Sequence, residues 1–150
     1  MKAERVKQLM AEDGLEFVID MNKYYTPELE ELYIGFEYQQ FSHLEGKWND
    51  MILDYVHFIT ILEEEESDWS EHHIRVKYLD REDIASLGFE HLGSGWFEKD
   101  IYRIRKWSEQ EIDVYLWHTL DASMPEHLIF RGEIKNRSEL KQLLKQLHIK

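Results

Sequence analysis

The side chains that could do chemistry in this chain are its 8 histidines and its 31 Asp and Glu residues, because cysteine is absent. Without a thiol there is no thiolate nucleophile, no Cys-based metal site and no disulfide framework. Ser42, Ser94 and Ser123 lie in no Gly-x-Ser-x-Gly setting, the strained turn that exposes a serine nucleophile. Gly93-Ser94-Gly95 opens no phosphate-binding helix, and no Walker or dinucleotide pattern occurs. Glu71-His72-His73 brings three ligand types together. On a strand, however, adjacent histidines point to opposite faces and cannot share an ion. His118 shares the inward parity of Ile112, Val114 and Leu116, the place of a hydrogen-bonded core histidine. Asp80, Glu82 and Asp83 are a metal-like trio by type. They stand where a helix N-terminus attracts acids through its dipole. We expect no catalytic residue, no metal site and no cofactor.

One cluster stands apart. Glu63, Glu64, Glu65 and Glu66, followed by Asp68, Trp69 and Glu71, concentrate charge around one tryptophan. The run lacks the glycine and the alternation of a calcium loop. Carboxylates beside an aromatic suit contact with a basic partner, the indole supplying the apolar anchor. These seven residues are the predicted partner-binding site.

The charge distribution agrees. The formal net charge is −13, and all of it lies in residues 1–71, which hold 18 Asp/Glu against 5 Lys/Arg. Residues 72–150 hold 13 of each and are neutral. Such a charge repels phosphate backbones, so direct nucleic-acid binding is disfavoured. Aromatics at 13% and apolar residues at 43% are too abundant for a disordered chain. With 150 residues and two prolines, Pro27 and Pro125, a single domain over 1–150 is expected. The longest apolar stretch, Val56 to Leu62, is interrupted by His57 and Thr60, far short of the roughly 20 residues of a membrane span. The charged N-terminus leads into no apolar segment. A cytoplasmic protein is the expectation; oligomeric state is open.

Periodicity supplies the elements that must position these groups. A helix is predicted over 2–13, ending at Gly14, with a strand over Leu15 to Ile19. Thr26 and Pro27 read as N-cap and first residue of a short helix. Leu32 to Tyr38 reads as a strand with Leu32, Ile34, Phe36 and Tyr38 on one face and Gly35 at a bulge or close approach. His43 to Gly46 is a turn. Trp48 to Leu62 fits helix or strand; its β-branched and aromatic content favours strand.

The second half is clearer. Ile74 to Leu79 alternates as a strand. Asp80 caps a helix over 81–87, Leu79 and Ile84 have staple spacing, and Gly88 follows the helix. Phe89 to Leu92 and Trp96 to Glu98 flank a hairpin turn. Ile101 to Trp107 and Glu111 to Thr119 are joined by Ser108-Glu109-Gln110, and Leu128 to Ile134 follows. Trp96, Trp107 and Trp117 read as core material of these strands. A closing helix over 138–147 carries Leu140, Leu143, Leu144 and Leu147 on one stripe, with Asn136 or Ser138 as cap. The expected fold is α+β: an antiparallel, meander-like sheet with a few helices, the C-terminal amphipathic one packed on one face. The expected core holds Ile74 or Val76, Ile84, Leu87, Ile112, Val114, Leu116, Leu140, Leu144 and Leu147.

Two stretches carry a resemblance: Arg75-Val76-Lys77-Tyr78-Leu79-Asp80-Arg81-Glu82-Asp83-Ile84-Ala85-Ser86-Leu87-Gly88-Phe89, and Ile129-Phe130-Arg131-Gly132-Glu133-Ile134-Lys135-Asn136-Arg137-Ser138-Glu139-Leu140-Lys141. They resemble a group of small proteins carried by phages and mobile elements, to whose N-terminal part Leu32-Tyr33-Ile34-Gly35-Phe36-Glu37-Tyr38 upstream of Trp48 is also similar. The group brings no established activity, so no residue role follows; the resemblance implies a small accessory protein.

Charge, missing catalytic signature and resemblance together predict a non-enzymatic, acidic protein–protein interaction protein. Its expected partner is a protein with a basic surface, such as a host nuclease or another nucleic-acid-processing enzyme. It would occupy that partner's cleft as a nucleic-acid mimic, in the manner of a phage anti-defence or anti-CRISPR inhibitor. The alternatives are a small hydrolase with a diffuse carboxylate or histidine site, and a structural accessory protein of a phage particle.

Overall fold

The computed structural model describes residues 22–63, 74–116 and 127–150. The helix expected over 2–13, the strand over Leu15 to Ile19, Glu64 to His73, Trp117 and His118 lie outside the described residues. The class is α+β, with two antiparallel sheets and three α-helices among the described residues. No helix among them is long and apolar enough to cross a membrane. Contacts divide the chain into two compact units, Met1–Lys77 and Tyr78–Lys150. The boundary falls close to the charge step after residue 71.

In the first unit, β1 (Tyr24–Tyr25), β2 (Glu37–Ser42), β3 (Lys47–Ile52) and β4 (Ile74–Lys77) form one sheet in the order β1-β4-β2-β3. Strand β4 comes last in sequence yet lies inside the sheet, and its alternation buries Ile74 and Val76. Tyr25, Leu32, Phe36, Tyr38 and Leu53 are buried as well.

Three expectations are corrected here. The strand over Leu32 to Tyr38 begins only at Glu37, because Gly35 (φ +97°) turns the chain and its N–H donates to the Leu53 carbonyl at 2.7 Å. Ile34 is therefore 56% exposed rather than inward. The expected helix start at Thr26 moves to Glu28, which precedes a single 3₁₀ turn, Leu29–Glu31. The Glu31 carboxylate accepts from the Glu28 N–H at 2.7 Å and from the Tyr25 hydroxyl at 3.0 Å. Finally, Trp48 to Leu62 is not one strand: β3 ends at Ile52, and helix α1 (Tyr55–Glu63) follows. Asp54 makes the switch, its carboxylate accepting the His57 N–H at 2.8 Å as an N-cap does. His57 is thereby placed, its ring Nδ1 also 2.8 Å from Asp54.

In the second unit, α2 (Arg81–Ser86) precedes five strands, β5 (Glu90–Gly93), β6 (Trp96–Lys99), β7 (Tyr102–Lys106), β8 (Glu111–Leu116) and β9 (His127–Glu133), and α3 (Arg137–Gln146) closes it. The sheet is a meander in chain order. Asp80 and Asp83 exchange side-chain-to-backbone hydrogen bonds at 2.9 and 3.2 Å, so these acids serve the α2 N-terminus. Asn136 caps α3, accepting from the Glu139 N–H at 2.8 Å. Glu139 reaches instead to the Lys135 N–H at 2.7 Å.

Strand alternation builds the core. Phe97, Ile104, Val114 and Phe130 stand opposite one another across β6 to β9. With Ile112, Ile84, Leu79 and Phe89 they share one cluster with Leu140, Leu143 and Leu144 of α3. Leu87 and Leu147 pack against it partly buried. Leu116, expected inside, is only half-buried.

Candidate interaction surface

The opposite parity of the same strands makes the other face of the meander. Trp96 of β6 stands opposite Arg105 of β7, Arg105 opposite Asp113 of β8, and Asp113 opposite Arg131 of β9. Trp107 and Tyr115 share that parity. Pleating alone puts two tryptophans, a tyrosine, two arginines and an acid side by side.

The contacts run continuously across the face. The Arg105 guanidinium lies 3.5 Å from the Trp107 ring centroid and 5.2 Å from that of Trp96. Trp96 in turn lies 5.6 Å from the Tyr115 ring. Asp113 is the hub. Its side chain is fully buried, and Arg131 grips it with Nε 2.9 Å from Oδ1 and Nη2 3.1 Å from Oδ2. The Tyr115 hydroxyl donates to Oδ2 at 2.9 Å, and the Trp107 indole N–H donates to the same oxygen.

These donors hold the Asp113 carboxyl below the usual carboxylate range. The Arg131 hydrogen bonds contribute most, burial opposes them, and Trp107 and Tyr115 add to the lowering. Burial, and then Asp113, raise the Tyr115 phenol. Asp113 raises the Arg131 guanidinium. An acid so fully engaged is a poor proton acceptor; it orients its neighbours instead. Beside it a concavity of about 270 Å³ lies between Trp107, Arg131 and Gly132, with Glu111 and Glu133 at its rim.

Exposure distinguishes this face from a second core. Trp107 is 48% exposed and the Arg131 side chain 62%. The expectation that Trp96 and Trp107 fill the core is thus corrected. Both stand on the parity opposite Ile104 and Val114, where the arginine lies against their rings in place of apolar packing. The charges also balance unevenly. Arg103 pairs with Glu98 at 3.3 Å, and Arg131 with Asp113. Arg105 has no carboxylate partner among the described residues and keeps its N–H donors beside two rings.

The predicted site at Glu64, Glu65, Glu66, Asp68, Trp69 and Glu71 lies outside the described residues, and of Glu63 the structure describes the last backbone turn of α1. Among the described residues no three His, Asp or Glu side chains converge as metal ligands. A second arginine stack belongs to the first unit, where Arg75 lies 3.7 Å from the Tyr24 ring and 4.1 Å from that of Trp48. Its Nε donates to Gln39 at 2.8 Å, and Gln39 donates to Asp50 at 2.7 Å. Arg75 is therefore committed within its own sheet. No protein-family model, curated protein or solved structure matches the chain, so every role assigned to these residues rests on their geometry.

Proposed function

We propose that the chain is a non-enzymatic interaction protein that engages a protein partner through the Trp96, Arg105, Trp107, Tyr115 and Arg131 face of its second unit. Arg105 carries the reading: a guanidinium stacked on two tryptophans with no carboxylate partner among the described residues. Tryptophan, tyrosine and arginine are the types enriched at binding hot spots. Stacking holds the guanidinium in place before the partner arrives, which lowers the ordering cost of binding. Its natural complement is an exposed aspartate or glutamate. Glu98 and Asp113 neutralise the neighbouring arginines, so the face is not a basic stripe, which favours a protein over a nucleic-acid strand.

The test is a pull-down from cell lysate with wild type, Arg105→Ala and Arg105→Glu, each first shown to melt at the same temperature. The equal melting temperatures check that these changes leave the Asp113 hub in place. A protein partner retained by wild type and lost by both variants supports the reading. Identical retention by all three, or retention of nucleic acid alone, overturns it.

A second reading rests on the −13 charge of residues 1–71. It is the docking of the acidic half on a basic protein, including a nucleic-acid-processing enzyme, in a phage-type accessory context. Neutralising Glu63, Glu64, Glu65, Glu66, Asp68 and Glu71 to Gln or Asn should abolish that binding and its salt sensitivity. Unchanged binding by the folded variant would remove this reading.

A further inference from the structure

The chain carries far more acid than base, yet one concavity reverses that balance. It lies in the second unit, has a volume of about 450 Å³, and is floored by Leu87, Leu144 and Ile149. Its walls are Lys99, Lys141, Lys145, Lys150 and His148. Among the described residues no Asp or Glu side chain lines it. The volume falls in the range of about 300–1,000 Å³ usual for small-molecule sites, where an apolar floor with a few charged groups is the common construction.

Lysines gather at helix C-termini for a duller reason, since they complement the dipole and bond the last carbonyls. Here backbone groups already serve that need. Leu147 N–H donates to Leu143 at 2.9 Å, His148 N–H to Lys145 at 3.1 Å, and Ile149 N–H to Leu144 at 2.8 Å. This is a complete Schellman closure, with Ile149 and Leu144 in its usual apolar pairing positions. Lys99 does have a structural task, donating to the Leu87 carbonyl at the end of α2 at 3.0 Å. Lys145 and Lys150 have no carboxylate partner among the described residues.

The residue at the turn is the second observation. His148 has φ +59°, the left-handed conformation for which such a closure ordinarily uses glycine. Glycine would relieve the backbone; histidine instead places an imidazole on the wall of the concavity. A strained position occupied by a side chain that lines a pocket points to a function for that side chain.

We propose that this concavity binds a small amphipathic anion, a carboxylate on a linear apolar chain. The chain lies over Leu87, Leu144 and Ile149, and the carboxylate meets Lys145, Lys150 and His148. The site is separate from the arginine–tryptophan face and independent of the function proposed for it.

The probe is decanoate, titrated into the full chain and followed by amide chemical shifts, with decanol and inorganic phosphate as controls. Decanoate should give saturable shifts centred on residues 144–150, with decanol and phosphate each at least about ten-fold weaker. The Lys145→Glu/Lys150→Glu double variant should lose binding by at least about ten-fold. The His148→Gly variant separates function from structure: its melting temperature should rise or hold while decanoate binding weakens several-fold. Decanol binding as tightly as decanoate would remove the charge recognition, and phosphate binding as tightly would remove the apolar part; either overturns the proposal. So does an absence of saturable shifts at 144–150, or His148→Gly binding like wild type. Binding to anionic phospholipid vesicles without binding of soluble decanoate would move the site to a membrane surface and equally overturn it.

Discussion

Arg131 meets the buried carboxylate of Asp113 with two prongs, Nε on one oxygen at 2.9 Å and Nη2 on the other at 3.1 Å. The two residues stand directly opposite on β9 and β8. The pair joins the last two strands of the meander and, through the Trp107 and Tyr115 hydrogen bonds, orients the aromatic side chains of the proposed contact face.

Asp113→Asn should therefore cost about 2–4 kcal/mol at neutral pH, the scale of disrupting a buried, charge-assisted network. The sign of its pH dependence follows from the lowered carboxyl. The stabilisation is fully present above about pH 3.9, the value of a free aspartate, and is lost as pH falls through the lower folded value. Urea titrations of wild type and Asp113→Asn from pH 7 to 3 should show a gap that is constant to about pH 4 and then narrows. A gap that widens on acidification would contradict the assigned network.

The β5–β6 hairpin offers a paired test of backbone and contact. Gly93 (φ +99°) and Gly95 (φ +79°) are both left-handed, but a Cβ at Gly93 meets open space while one at Gly95 would lie 2.7 Å from the Lys106 carbonyl oxygen. Gly93→Ala should cost about 1–2 kcal/mol from the dihedral alone. Gly95→Ala should cost at least about 1 kcal/mol more, because the hairpin must lift away from β7. Equal losses in denaturant melts would show that the approach to Lys106 carries no weight.

Helix α3 should show its core face and its cap separately. Leu140, fully buried, should lose about 2–5 kcal/mol as Leu140→Ala. Asn136→Ala should lose about 1 kcal/mol with the side-chain bond to the Glu139 N–H. Equilibrium unfolding of both variants checks this, and a Leu140→Ala loss below about 1 kcal/mol would place the helix stripe outside the core.

By itself, the sequence determined the α+β class, most element boundaries of the second half and most of its core, because those signals are local. Alternation over 74–77, 102–106 and 111–116, the Asp80 cap, the glycines at 88, 93 and 95, and the leucine stripe of α3 each act within a few residues. A single local group can override composition: Asp54 caps α1 inside a stretch whose composition favours strand. Gly35, which the sequence places at a bulge or close approach, makes that approach to the Leu53 carbonyl, and the strand begins only after it. For β6 and β7, tertiary structure decided which parity faced inward. Trp96 and Trp107 are apolar enough for a core, yet Ile104, Val114 and Phe97 take it, since strand parity allows only one of the two sets to meet the α3 leucines. It also brought Arg105 between two rings from neighbouring strands, and it closed four lysines around one apolar floor from β6, α3 and the chain beyond it. Neither arrangement is complete in a local stretch of sequence, because Trp96 reaches Arg105 through strand register and Leu87 and Lys99 reach the end of α3 through packing.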